Sequence, residues 1–332
     1  MNKIICGNAQ IELSKLDKES IDLIITSPPY YKQRDYENNS QGLGDEKSMI
    51  NYERKLEHVF SECVRVCKPT GNIVFNMGDK YIERCLQLLP YRFAIRAIDY
   101  NWVKLVNNIA WVKSNPTPRQ YNKRLVSAHE PFFHFVKSND YYYNRQAFLD
   151  NSEPIKPNTS SKKGMGYEQK IKNSNLTPQE KLNALQALSR IRVELVEGKI
   201  SDFRMKIRGV HKKAFGGQRG GRNNQIEKQG YTIIRFTGKR LKRDIIESPV
   251  ANTKNISHPA VFPCKVIREL ILLLSKDNDV VLDPFCGSGQ VCVVAKSLKR
   301  RYLGIDLNPE YCSMAEERVT TEMVHYDYTE EK

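Results

Sequence analysis

The segment Val280-Val-Leu-Asp-Pro-Phe-Cys-Gly-Ser-Gly289 runs from a β-branched stretch into a glycine turn, and Val291 to Leu298 continues it as an apolar-faced helix. A strand that breaks at a glycine pair and opens a helix lets a nucleoside-bearing ligand approach the backbone. Tyr302-Leu-Gly-Ile305 reads as the next strand, and Asp306 closes it 19 residues beyond Gly287. An acidic side chain there can accept hydrogen bonds from ribose hydroxyls. A Gly-x-Gly alone is often a packing turn; strand, helix and terminal acid together make it a cofactor site. Its candidate residues are Asp283, Phe285, Cys286, Gly287, Gly289 and Asp306. The third glycine of the dinucleotide pattern is missing, and the turn holds no basic residue for phosphate. A cofactor without a pyrophosphate fits better, and S-adenosylmethionine is the expected one, its sulfonium favouring the carboxylate of Asp283.

Few residues follow Asp306, whereas a nucleotide-binding sheet normally begins with such a unit. The remaining strands must come from the N-terminal half, which implies a circularly permuted order with the strand ending at Thr26 beside the cofactor strands. Ile21–Ile25 is a short apolar run closed by a Pro-Pro pair and reads as a buried strand. Asn72–Asn76, Ile109–Lys113 and Pro131–Val136 look like further strands. Asn51–Val66 has apolar residues spaced for one helical face, and Lys265–Ser275 is a similar helix. The fold class predicted is α/β, Rossmann-like, with a parallel or mixed sheet covered on both faces. The chain after Ile305 reads as an acidic, frayed tail.

Thr26-Ser-Pro-Pro-Tyr30 lies at the end of the first buried strand. It offers a hydroxyl, a proline-locked carbonyl and an aromatic ring. An exocyclic amine on a base is a poor nucleophile, because its lone pair is delocalised into the ring. Acceptors that hold its N–H groups turn that lone pair toward an electrophile, and Ser27 Oγ and the Pro28 carbonyl are such acceptors. Pro28 and Pro29 stiffen the turn. Tyr30 can stack on a base rotated out of a duplex, where the target atom becomes reachable.

The net charge of +15 is unevenly spread: residues 151–250 carry 22 Lys and Arg against 9 Asp and Glu, leaving the rest of the chain nearly neutral. One segment holding almost all of the excess favours a polyanion. Arg204, Arg208, Lys212, Lys213, Arg219 and Arg222 are the candidate nucleic-acid contacts, most of them to phosphate. Arg219 and Arg222, on the loop Gly216-Gly-Gln-Arg-Gly-Gly221, could read guanine edges. Within this segment Thr177, Pro178 and Glu180 signal a helix start, and Leu182, Leu185, Leu188, Ile191 and Leu195 give it an apolar stripe. Tyr141-Tyr-Tyr143, the stretch 159–166 and the loop 216–221 read as polar and irregular. Eight scattered cysteines without a Cys-x-x-Cys suit a reducing cytosol and show neither a zinc spacing nor a disulfide framework. No apolar run suits a membrane span and no secretory signal is visible, so a cytoplasmic location is expected.

Thr26 to Tyr30 resembles the catalytic motif of DNA amino-methyltransferases from restriction–modification systems, in the Ser-Pro-Pro-Tyr form typical of N4-cytosine enzymes. The order of parts is that of the beta class: catalytic motif, target-recognition region, cofactor motif. Gly42-Leu-Gly-Asp-Glu46, Trp111-Val-Lys113, His129-Glu130 and His258-Pro-Ala-Val-Phe-Pro263 look like the same family. The last resembles the segment that closes over the cofactor's methionine part, which adds Pro259 and Phe262 to the cofactor set; Thr26 joins them. Family members often carry Gly-Asp where this chain has Gly7-Asn8, so Asn8 is expected near the cofactor or target pocket with adjusted contacts. Gln290 stands where a Thr is common, a change expected to have little effect. Cys264 begins a helix and is read as packing, not as the Pro-Cys nucleophile of C5-cytosine enzymes.

The resemblance implies an S-adenosylmethionine-dependent methyltransferase fold with an inserted smaller target-recognition domain: 1–138 catalytic half, 139–255 basic recognition region, 256–332 cofactor half. It implies methylation of cytosine N4 in double-stranded DNA by base flipping, with adenine N6 as the alternative. It further implies a cognate restriction endonuclease as functional partner, a monomer or homodimer, and no metal. The polar loop 31–48 is expected to close over the flipped base.

Overall fold

The computed structural model describes residues 2–32, 42–101, 103–116, 123–149, 164–211, 221–236, 243–250 and 262–322. The chain forms two compact units, Met1–Ala147 with Arg243–Lys332, and Phe148–Lys242. In the first unit the chain runs β1 (Lys3–Cys6), α1 (Ala9–Ser14), β2 (Ile21–Thr26), α2 (Met49–Val66), β3 (Cys67–Asn76), the hairpin β4 (Tyr81–Ile82) and β5 (Cys85–Leu86), α3 (Leu89–Asn101), β6 (Lys104–Lys113), β7 (His129–Val136) and α4 (Gln146–Leu149). The second unit holds α5 (Met165–Lys172), α6 (Pro178–Val196), β8 (Asp202–Ile207), α7 (Arg222–Gln229) and β9 (Tyr231–Phe236). The chain then rejoins the first with β10 (Ile245–Ser248), α8 (Cys264–Leu274), β11 (Val280–Asp283), α9 (Gln290–Ser297), β12 (Arg301–Asp306) and α10 (Pro309–Thr321).

Eight strands form the main sheet in the order β1-β12-β11-β2-β3-β7-β6-β10. The first five run parallel, β7 runs antiparallel to both β3 and β6, and β10 is parallel to β6. The last strands of the sequence thus pair with the first, the permuted order expected from the position of the glycine turn. Alternation along a strand sends side chains to opposite faces. Ile21, Ile24, Val280 and Leu282 face one core with α2 and α3, while Leu23, Ile25 and Val281 face another with α8 and α9. Parallel strands covered on both sides read as unbroken apolar runs, which is why β2 and β11 are visible in the sequence. The first core is aromatic at its centre, where Phe60 meets Phe75, Phe93 and Phe135 at centroid distances of 5.1–5.3 Å. Cys63 and Cys67 are buried in this core, and burial pushes the Cys67 thiol up to about 12.

In the second unit α6 starts as its sequence predicts: Thr177 Oγ1 accepts from the Glu180 N–H at 3.3 Å, and the Glu180 carboxylate accepts from the Thr177 N–H at 2.9 Å. Leu188 and Ile191 are buried with Ala184, but Leu182 is 49% exposed and lies off the packed face. Of the stretches expected to be irregular, 159–166 is corrected at its end, where α5 begins at Met165. β8 and β9 lie outside those stretches and pair antiparallel, with Phe203, Met205 and Ile207 alternating into the core of α5 and α6. The expected frayed tail is also corrected. Residues 309–321 form α10, which buries Cys312, Ala315, Arg318 and Val319, its four glutamates up to Glu322 having masked that stripe. Among the described residues no helix is long and apolar enough to cross a membrane.

Candidate active site

Because β11 pairs with β2 on one flank and β12 on the other, the carboxyl ends of these three strands lie side by side. The segments quoted from opposite ends of the sequence meet there. Thr26 Oγ1 donates to Asp283 Oδ1 at 2.6 Å across 257 positions. The same oxygen accepts the Phe285 N–H at 3.1 Å. Thr26 and Asp283 are fully buried, and burial pushes the Asp283 carboxyl up to about 7 despite those two donors, with the neighbouring Asp306 adding to the rise. Such a carboxyl is suited to a cation, whose charge would replace the lost hydration.

Asp306 braces the turn. Its oxygens accept from the Gly287 N–H at 2.8 Å and the Asn308 N–H at 3.0 Å, and each keeps a further lone pair. Burial raises its pKa against these backbone donors. Gly287 and Gly289 take φ of 48° and 78°, the left-handed region that favours glycine. Gly289 has a second reason: a Cβ there would lie 2.8 Å from the Ala315 Cβ, so it admits α10 against the turn. From α10, buried Arg318 donates to the Ser288 carbonyl at 2.7 Å and to Gln290 Oε1 at 2.7 Å. Gln290 also reaches Cys264 Sγ on α8. Gln290 therefore links three helices, and Arg318 escapes sequence reasoning because a lone arginine in an acidic stretch carries no signal.

The expected cofactor residues fall into two groups. Asp283, Phe285, Gly287 and Asp306 form the turn and its two acids, and Phe285 packs partly on the core beneath. Others serve the scaffold. Thr26 is buried and acts on Asp283, and Cys286 lies in the core with its thiol pushed well up by burial. Asn8 Oδ1 caps α1, accepting the Gln10 N–H at 3.0 Å, while Gly7 N–H donates to the Asp306 carbonyl at 2.8 Å and so sets Asn8 beside the end of β12. Phe262 tilts against Phe132 at 5.7 Å. Pro259 lies outside the described residues, as do residues 33–41 of the loop after Tyr30, Lys212, Lys213 and Arg219.

At the Ser-Pro-Pro-Tyr turn, the ends of β2 and β3 are adjacent, Thr26 pairing with Phe75. This places Asn76 beside the turn. Its Nδ2 donates to the Pro131 carbonyl at 3.1 Å, so Oδ1 faces the turn as an acceptor. Ser27 Oγ stands 3.3 Å and Tyr30 Oη 2.8 Å from that oxygen, and the two hydroxyls are 3.1 Å apart. With the Ser27 hydrogen drawn inward, its lone pairs are left to accept from elsewhere. Glu130 Oε2 is a second acceptor within reach of the single Tyr30 Oη hydrogen, at 3.1 Å, and the other Glu130 oxygen is paired with Lys113. Tyr52 Oη donates to the Pro29 carbonyl at 3.0 Å, and Gly44 packs against Pro29, where a Cβ would lie 3.3 Å from that of the proline. The Tyr30 ring rests on Gly78, where any Cβ would come within 2.4 Å of it.

In the basic unit Arg204 and Arg222 are exposed. Arg208 is committed internally: its guanidinium donates to both Glu180 oxygens at 2.7 and 2.6 Å and to the Glu227 carbonyl at 3.0 Å. It clamps α6 to α7 and is not a free phosphate ligand.

A family model for DNA methylases of the N6/N4 type matches residues 21–317, and the chain belongs to this family. The Citrobacter freundii Type II methyltransferase M.Cfr9I is 27% identical over 95% of this chain and 87% of its own length. M.MwoI, a Type II methyltransferase of Methanothermobacter wolfeii, is 36% identical over 92% of this chain and 32% of its own length. Among solved structures, the PvuII DNA methyltransferase (cytosine-N4-specific) superposes with a TM-score of 0.60 at 17% identity, covering 96% of this chain and 86% of that one. A Thermus thermophilus protein complexed with S-adenosyl-L-methionine gives 0.55 at 19% identity, covering 98% and 96%. These likenesses speak for the fold, the α/β sheet of S-adenosylmethionine-dependent methyltransferases.

Proposed function

We propose that this chain is a site-specific DNA methyltransferase that moves a methyl group from S-adenosylmethionine to the exocyclic N4 amine of cytosine in duplex DNA. The observation that carries the reading is the Thr26–Asp283 hydrogen bond, which joins the amine-binding turn to the glycine turn at one edge of the sheet. The residues present fit the cofactor. A buried carboxyl held near neutral suits its cationic part, the free lone pairs of Asp306 suit ribose hydroxyls, and the turn has no cation for a pyrophosphate. When bound, the cofactor supplies an electrophilic methyl on a sulfonium.

The chain's own residues hold and aim the amine. Ser27 Oγ and the Pro28 carbonyl accept its N–H groups, so that the nitrogen lone pair leaves the ring plane and faces the methyl. Tyr30, its hydroxyl tethered and its ring backed by Gly78, stacks on a base rotated out of the duplex. Arg204 and Arg222, with Lys212, Lys213 and Arg219, meet the DNA, and a cognate endonuclease is the functional partner. Ser in place of Asp at position 27 supports cytosine over adenine. Incubating duplex DNA with methyl-labelled S-adenosylmethionine and digesting it to nucleosides tests this. Label in N4-methylcytosine supports the assignment, label in N6-methyladenine moves the target base, and label in RNA but not DNA overturns the substrate class.

A further inference from the structure

We propose that Glu130 receives the proton that must leave the target amine after methyl transfer, through Ser27 and Tyr30. The inference rests on the proposed amine methylation. When the amine lone pair forms the N–C bond, the nitrogen holds a methyl and two hydrogens and is cationic. One N–H bond must break, its electron pair staying on nitrogen. Ser27 Oγ is the acceptor placed on that N–H, but a serine hydroxyl is no base and must give up its own hydrogen in turn. Asn76 Oδ1 is near both hydroxyls, yet an amide does not take a proton. Among the described residues, the chain of contacts from Ser27 to a carboxylate runs Ser27 Oγ–H to Tyr30 Oη at 3.1 Å, then Tyr30 Oη–H to Glu130 Oε2 at 3.1 Å.

Along it the amine proton goes to Ser27, the Ser27 hydrogen to Tyr30 and the Tyr30 hydrogen to Glu130. Both hydroxyls are regenerated, and the carboxylate ends as the neutral acid. Lys113 holds the far oxygen of Glu130 and leaves Oε2 for Tyr30. Glu130 stands at the head of β7, opposite Trp111 on β6, so a strand fixes it. Its side chain is 17% exposed, enough to return the proton to water before the next turnover. Glu130 acts through Tyr30 and is a positioning and proton-accepting group, not one that touches the base.

Glu130→Gln keeps the shape and removes the basicity. Single-turnover methylation should fall about 100-fold, the lower end of general-base effects. Calorimetric affinity for S-adenosylmethionine, and extrusion of a fluorescent cytosine analogue at the target position, should stay within about twofold of wild type. Tyr30→Phe should lose a similar factor, and the double variant should be no slower than either, because both cut one relay. Glu130→Asp should recover part of the rate. Glu130→Gln methylating within about threefold of wild type, multiplicative losses in the double variant, or lost base extrusion would each overturn the relay. Failure of the wild-type protein to methylate duplex DNA would instead overturn the function on which the relay rests.

Discussion

Asp283→Asn is the most informative single change, because the carboxyl it removes sits at about 7 in the ligand-free protein. A cationic cofactor requires the ionised form, so binding must expel the proton wherever the carboxyl begins protonated. For one acid at that pKa, affinity at pH 6 lies about 11-fold below its high-pH limit, and at pH 8 only about 1.1-fold below. The dissociation constant for S-adenosylmethionine should therefore fall about tenfold from pH 6 to pH 8, about 1.4 kcal/mol. The other groups that bear on Asp283 are Thr26, Asp306 and the thiols of Cys63, Cys286 and Cys292. Burial raises all three thiols, which stay neutral in this window, so Asp306→Asn is the control for the second acid. Stability without ligand runs the other way. A carboxyl raised from 3.8 to about 7 on folding contributes most below its unfolded pKa and loses that contribution as pH climbs through 7, so Tm should fall across that range in wild type and less in Asp283→Asn. Calorimetry in buffers of different ionisation enthalpy reads affinity and proton release together. An affinity flat between pH 6 and 8 in wild type, or an unchanged slope in Asp283→Asn, would refute the assignment of Asp283 to the cation.

Gly78→Ala puts a methyl 2.4 Å from the Tyr30 ring, so the ring must shift. Single-turnover methylation should drop at least tenfold, at a stability cost of about 1–3 kcal/mol read by denaturant unfolding. Arg222→Ala should lower the slope of log affinity against log salt by about 1 for duplex DNA, whereas Arg208→Ala should leave that slope alone and lower Tm by breaking the Glu180 clamp.

The parts of the fold that are legible in the sequence are those whose signal is local. β2 and β11 announce themselves as apolar runs ended by Pro-Pro and by glycine, and α6 by its cap. The site is legible for the same reason: Asp283, Gly287 and Asp306 mark a strand, a turn and a strand end, and only pairing with the N-terminal half could complete the sheet. What stays hidden depends on partners distant in sequence. Gly289 reads as a ligand approach until Ala315 is seen against it, and Arg318 means nothing before the Ser288 and Gln290 oxygens are placed around it. Arg208 looks like a phosphate contact from charge alone, and only the fold reveals that Glu180 claims its fork. β10 escapes notice because four residues beside a basic stretch carry too little pattern to be told from loop.

Modification-sensitive sequencing of DNA from cells that express this chain tests the central claim most directly, since it reads base and site together. N4-methylcytosine at one recurring sequence, lost in Ser27→Ala and in Asp283→Asn, is the predicted result. N6-methyladenine at that site, or no modification above the vector control, would contradict it.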